Sequence, residues 1–163
     1  MTRRPGPRRL PAGAPEALHL AVEAGTGRHR IWGAVLAVPG GLCLQLFGGD
    51  APHVGAVGVS VPRPGGRRGS RGAASTSVIT LPGHREDELA QPIAAELARA
   101  LGRAAVVVAG IHLEAATARD VAALVQNARR AARLALRAIR AAAPPRSPRA
   151  RGAAPHRRQE EEA

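Results

Sequence analysis

Ser75-Thr76-Ser77-Val78-Ile79-Thr80-Leu81-Pro82-Gly83-His84-Arg85-Glu86-Asp87-Glu88-Leu89 changes its period halfway along. Up to Leu81 the stretch is short and rich in hydroxyl-bearing and β-branched residues, the composition of a strand. Pro82-Gly83 punctuates the chain. Glu86, Asp87 and Glu88 then stand where the positive end of a helix favours negative charge. Leu89 opens a repeat continued by Ile93, Leu97 and Leu101, one apolar stripe that stops at Gly102. A strand that passes into an amphipathic helix through a tight turn predicts a layered fold of both α and β elements.

Toward the N-terminus the chain keeps the strand period. Leu18, Leu20 and Val22 alternate with His19, Ala21 and Glu23. The runs Ile31 to Val38 and Leu42 to Phe47 flank the hairpin punctuation Pro39-Gly40-Gly41, and Gly48-Gly49-Asp50-Ala51-Pro52 turns into a run from Val54 to Val61. Toward the C-terminus, Ala104 to Ala109 is a continuous Val-rich run that reads as a buried central strand. Thr117 and Asp120 have capping-box spacing, with Asp in place of Glu. Val121, Leu124, Val125, Ala128, Ala132, Ala135 and Ile139 follow as one face of a long helix, and Arg129, Arg130, Arg133, Arg137 and Arg140 take its other faces. The expected fold is therefore an α/β (α+β) two-layer sandwich: a mostly antiparallel strand meander, then helix, strand and helix, with both helices on one sheet face.

The 163 residues suffice for one core. Residues 1–16 and 144–163 are rich in Pro, Arg, Ala and Gly, with too few large apolar groups to offset the entropy of ordering them. They are expected to be disordered tails around a single domain at 17–143. The formal net charge of +12 invites a nucleic-acid reading. Yet many of the arginines lie in the tails and in the Gly-rich loop at Arg63, Arg67, Arg68 and Arg71, and the only aromatics, Trp32 and Phe47, are too few for the stacking on which single-strand and RNA modules rely. Phosphate binding through the tails is the alternative function, a nonspecific and salt-dependent one. Cys43 is the sole cysteine, flanked by Leu42 and Leu44, and reads as a core thiol. No apolar segment has the length of an export signal or a membrane helix, so the expected location is the cytoplasm.

The chemistry-bearing residues form no catalytic motif. His53, His84 and His112 fall at element ends, but no two have i, i+4 spacing and no carboxylate motif accompanies them, so no resident metal is expected. Ser77, His84 and Asp87 make a nucleophile triad only on paper, for Ser77 lacks the elbow glycines. Gly48-Gly49 and Gly65-Gly66 lack both the dinucleotide pattern and a Walker lysine. The turn Pro82-Gly83-His84-Arg85 does open a helix and could hold an anion, in competition with the carboxylates beside it.

Three segments taken together carry a resemblance: Gly48-Gly49-Asp50-Ala51-Pro52-His53-Val54-Gly55-Ala56, then Ser75 to Glu88 as quoted above, then Val106-Val107-Val108-Ala109-Gly110-Ile111-His112. In this order and spacing they resemble the prenylated flavin chaperone LpdD-like domain, over roughly residues 17 to 140. The resemblance implies a small non-catalytic accessory protein, not an enzyme, that helps a UbiD-type decarboxylase acquire or keep prenylated FMN, with a fold similar to proteasome assembly chaperones. It implies no intrinsic cofactor but prenylated FMN as a transient ligand, with the decarboxylase, a flavin prenyltransferase and a second copy of the chain as candidate partners. The candidate ligand-binding residues are His53, Gly55, Ser77, His84, Arg85 and His112, with Val54, Val78 and Ile111 as apolar wall and Arg85 or Arg30 as phosphate anchor. The loop from Arg63 to Ala74 departs from the family in its richness in Gly and Arg. Because neither tail has a core-forming pattern, deleting residues 1–16 and 144–163 is expected to leave the melting temperature nearly unchanged. A large drop in the trimmed protein, measured by calorimetry, would refute this.

Overall fold

The computed structural model describes residues 17–63 and 72–142; the tails expected to be disordered and the middle of the 63–74 loop lie outside the described residues. Among the described residues there are six strands: β1 (Leu18–Ala24), β2 (Ile31–Val38), β3 (Gly41–Gly49), β4 (Ala56–Pro62), β5 (Ala74–Thr80) and β6 (Ala104–His112). The helices are α1 (Asp87–Leu101) and α2 (Ala118–Ala142), with a short 3-10 turn at Gly27–His29. The strands form one sheet in the order β1-β2-β3-β6-β4-β5, in which only β3 and β6 run parallel.

The two-layer α+β architecture agrees with the sequence reading, and so does the central place of the Val-rich strand. Its position adds what periodicity alone does not reveal. β6 enters between β3 and β4, so the meander is split into a three-stranded and a two-stranded part. Nothing local in Ala56 to Pro62 signals that its neighbour is a strand more than forty positions away.

Alternation along β2 explains which face is covered. Ile31, Gly33, Val35 and Ala37 point inward, while Trp32, Ala34, Leu36 and Val38 point outward. The inner face continues through Leu42, Leu44 and Leu46 of β3 and Ala105, Val107 and Ala109 of β6. α1 lies over β4, β5 and β6, and α2 over β1, β2 and β3. Leu89, Ile93 and Leu97 supply the inward stripe of α1, and Leu124, Leu136 and Ile139 that of α2. A fully buried aliphatic side chain of this size contributes about 1.5–3 kcal/mol. Small residues set how closely the helices approach: Ala90, Ala94 and Ala98 are fully buried, and a Cβ on Gly58 of β4 would stand 2.7 Å from the Ala90 carbonyl oxygen. Val121, placed on the inward stripe by its spacing, is instead half exposed at the start of α2.

The other sheet face has no helix over it among the described residues. It carries Trp32 and Phe47, whose rings stack at 6.0 Å, and the exposed Leu36, Val38, Val59, Val61 and Ile79. Cys43 shares this face with them and is half-buried, and burial raises its thiol pKa, away from the thiolate that reacts.

The helix ends are built as their residues require. Gly102 caps α1 in the left-handed region at φ 65°, and its N–H reaches the Ala98 carbonyl. At α2 the Thr117 N–H donates to Asp120 Oδ2 (2.9 Å) and the Asp120 N–H to Thr117 Oγ1 (3.2 Å), a reciprocal capping box. His29 adds a 2.6 Å contact to Asp120 Oδ1. The hydrogen bonds from the Thr117 hydroxyl and from His29 hold the Asp120 carboxyl well below the usual carboxylate range. A carboxyl depressed on folding adds stability above its unfolded pKa, and that stability is lost as pH falls through the lower folded value. Asp120→Ala is therefore expected to lower the melting temperature at pH 7, with the gap to wild type closing below about pH 4, the unfolded aspartate range. A gap that persists unchanged in acid would show that the carboxylate's charge is not what α2 uses.

The insertion of β6 imposes a crossing. After Gly49 (φ 75°) the chain leaves β3 and must pass over β6 to reach β4. It does so with the Asp50 N–H bonded to the His112 carbonyl (2.7 Å) and the Gly55 N–H to the Ala109 carbonyl (2.8 Å). A Cβ on Gly110 would overlap the His53 carbonyl that lies against it, so only glycine leaves room. Gly110→Ala is expected to cost roughly 3 kcal/mol or more by overpacking. Gly40→Ala, in open space in the β2–β3 turn, should stay within about 0.5 kcal/mol of wild type. Equal midpoints for the two in denaturant unfolding would contradict the crossing.

Candidate functional site

Three pieces of chain converge at the C-terminal end of β6. The crossing segment brings His53, the turn before α1 brings His84 and Arg85, and the strand's end brings Ile111 and His112. The turn closes with the His84 N–H on the Leu81 carbonyl (3.1 Å), and Gly83 takes φ 82° to allow it.

Glu86, at the N-cap of α1, ties these pieces together. Its carboxylate accepts the Ile111 N–H at Oε1 (3.2 Å) and the Arg85 N–H at Oε2 (3.1 Å). A Cβ on Gly55 would overlap the same carboxylate, which explains the glycine there. His53 Nε2 lies 3.0 Å from Glu86 Oε1 and 2.9 Å from His84 Nδ1, while His84 Nδ1 lies 3.5 Å from Glu86 Oε2. The His53 and His84 rings are 4.5 Å apart at the centroids, and His112 stands edge-on to His53 at 6.4 Å. His53 Nδ1 donates to the Ala51 carbonyl (3.1 Å), because a carbonyl can only accept.

Beside this cluster a cavity of about 480 Å³ opens between the N-terminal ends of the two helices. Leu89, Ile111, Leu113, Val121, Leu124 and Val125 give it an apolar wall, and His84, Arg85, Glu86, Glu88 and His112 a polar rim. The exposure of Val121 has its place here: the first turn of α2 overhangs the cavity. Arg85 is largely exposed and pairs with Glu88 at 2.6 Å, an i, i+3 contact on the surface that another anion could displace at little cost.

Of the residues singled out from sequence, His53, Gly55, His84, Arg85 and His112 come together at this corner. Ser77 does not join them. It sits on the outer face of β5, paired in register with Val59, and is exposed. Arg30 also lies apart, over the Trp32 ring at 5.9 Å, and neither Val54 nor Val78 lines the cavity. The residue that sequence reasoning undervalued is Glu86. It reads as one of three helix-capping carboxylates, and its His84-x-Glu86 spacing across the start of α1 is the one signal that marks it out.

Set against known proteins, the chain matches no curated sequence. Among solved structures it is similar to one described as the crystal structure of a novel chaperone complex for yeast 20S proteasome assembly. The match has a TM-score of 0.50 at 11% identity and covers 77% of this chain and 95% of that one. At that identity the likeness concerns the fold, and it agrees with the two-layer sandwich above. The family model of the prenylated flavin chaperone LpdD-like domain matches residues 25–140, a span that begins at the turn after β1 and ends near the close of α2. With strands β2 to β6, nearly all of both helices and the cavity between them inside that span, the chain belongs to the prenylated flavin chaperone LpdD-like domain family.

Proposed function

We propose that this protein is a non-catalytic accessory chaperone that helps a UbiD-type decarboxylase acquire or retain prenylated FMN. The observation that carries the reading is the cavity at the C-terminal end of β6, which lies within the span the family model matches. Its volume is in the ~300–1,000 Å³ range of small-molecule sites. The six aliphatic residues of its wall suit a prenylated ring system. Arg85 at the rim, with the N-terminal ends of both helices, suits a phosphate. The histidines of the site supply hydrogen-bonding groups, and among the described residues none is hydrogen-bonded to a serine, threonine or cysteine. Such a site favours holding a ligand over turning it over, so the prenylated flavin is a transient passenger received from a flavin prenyltransferase and passed on.

Coexpression is expected to raise the fraction of a cognate decarboxylase that carries prenylated FMN, read from the enzyme's absorbance spectrum and mass. Val121→Glu, which puts a charge at the cavity mouth from an exposed position, should abolish most of that gain while leaving the accessory protein folded. Equal occupancy with and without the accessory protein would defeat the reading.

The open sheet face supports a further part of the proposal, that two copies pair through it. The centre of this face is apolar from Trp32 to Ile79, with Leu36, Val38, Val59 and Val61 also exposed on it and Arg30 over the Trp32 ring. An exposed apolar patch of this kind marks an interface. Sedimentation should show a dimer that Ile79→Arg converts to monomer. A monomeric wild type would overturn the pairing and leave the cavity reading intact.

A further inference from the structure

We propose that His53, His84 and Glu86 form a binding site for one divalent first-row transition metal ion. This goes beyond the chaperone reading and does not depend on it. Nε2 of His53, Nδ1 of His84 and a carboxylate oxygen of Glu86 all lie within 4.8 Å of one another. The separations given above run from 2.9 to 3.5 Å. Metal–nitrogen bonds of about 2.0–2.1 Å place neighbouring ligands about 3.3 Å apart in a tetrahedron and about 2.9 Å apart on an octahedral face. The 3.0 and 3.5 Å separations reach different oxygens of Glu86, Oε1 and Oε2, so the two ring nitrogens and the two carboxylate oxygens together surround a common centre.

The protons do not account for this arrangement as well. Because His53 Nδ1 carries the proton donated to the Ala51 carbonyl, Nε2 of the neutral ring presents a lone pair; an N–H on His84 Nδ1 can donate to it, but the 3.0 Å contact with Glu86 Oε1 then sets two acceptors against each other. If Nε2 is protonated as well, its one hydrogen can point at Glu86 or at His84 but not fully at both. A cation at the centre is shared by all three.

The surroundings have the features of an outer shell. A backbone carbonyl orients His53, and two backbone N–H groups, those of Arg85 and Ile111, orient the Glu86 carboxylate. Such partners fix ring tautomer and ligand direction in metal sites. Gly55 and Gly110 admit the carboxylate and the His53 backbone without a side chain between them. Two imidazoles with one carboxylate select zinc, iron, cobalt, nickel or copper over magnesium and calcium, which take oxygen ligands. Three protein ligands leave at least one coordination position for an outside donor. His84 and Glu86 also belong to the cavity wall, so a ligand held there could supply it.

The test uses the full chain, stripped with chelator and titrated with Co²⁺ and then Zn²⁺. One equivalent of Co²⁺ should develop visible d–d absorption that Zn²⁺ displaces, while Mg²⁺ has no effect. His53→Ala, His84→Ala and Glu86→Gln should each weaken Zn²⁺ binding by about 100-fold or more, beyond the ~10–100-fold typical of losing an outer-shell partner. His112→Ala, and His156→Ala in the C-terminal tail, should leave the affinity within a few-fold of wild type. Circular dichroism checks the fold of each variant. If Glu86→Gln disturbs it, His84→Ala, whose side chain is one-third exposed, decides. Failure to bind Co²⁺ or Zn²⁺ at micromolar concentrations would overturn the proposal and leave a histidine–carboxylate hydrogen-bond cluster only. Stoichiometric binding that survives in both His53→Ala and His84→Ala would overturn it equally. Neither result bears on flavin transfer, which is measured separately.

Discussion

The contact of the His53 backbone with the bare face of Gly110 is the constraint on which the site depends. A strand inserted between β3 and β4 obliges the connection between them to climb over it, and a polypeptide can do so closely only where the strand below lacks a side chain. Gly110 provides that place and Gly49, at φ 75°, the turn into it. Once the connection lies flat on the end of β6, His53 is held beside the turn that starts α1. Glu86 then reaches the Ile111 N–H past Gly55 and joins connection, turn and strand in one hydrogen-bonded corner. The fold and the site are in this respect one arrangement.

Charge and apolar surface are separated over the molecule. Arg129, Arg130, Arg133, Arg137 and Arg140 face outward from α2, on the helical layer. The open sheet face holds the two aromatics and a run of β-branched and aliphatic residues, and the cavity lies at the end of the sandwich, clear of its centre. Two surfaces of different character therefore lie apart on the described residues: an exposed apolar sheet face, and a half-apolar, half-polar recess. An aliphatic, alanine-rich core suits this plan, since small residues let both helices sit close on one face and leave the aromatics for the other.

Much of this was legible in the residues, because local physics writes local patterns. The alternation of Leu18 to Val22, the four-residue repeat from Leu89 to Leu101, the glycine stop at Gly102 and the capping pair Thr117 and Asp120 each report on a few neighbouring positions, and each appears in the structure where the pattern puts it. The order of strands was not legible. Inserting β6 is a choice among pairings distant in sequence, and the apolar runs of β4 and β6 are compatible with several. The site was legible in part for the same reason. His53, His84 and His112 stood out as histidines at chain reversals, but that Glu86 turns back toward them follows from the crossing at Gly110, which no spacing encodes. Ser77, a candidate as a hydroxyl just before the turn to His84, is carried by the two-residue period of β5 to the outer face.

The corner built on Gly110 and Glu86 is proposed to present its cavity to a prenylated flavin. Methyl-resolved NMR of the full chain during titration with prenylated FMN tests this most directly. Shifts are expected to be confined to Leu89, Ile111, Leu113, Val121, Leu124 and Val125 and to saturate at one ligand per chain. Unmoved cavity methyls, or shifts centred on Val59, Val61 and Ile79 of the open sheet face, would contradict it.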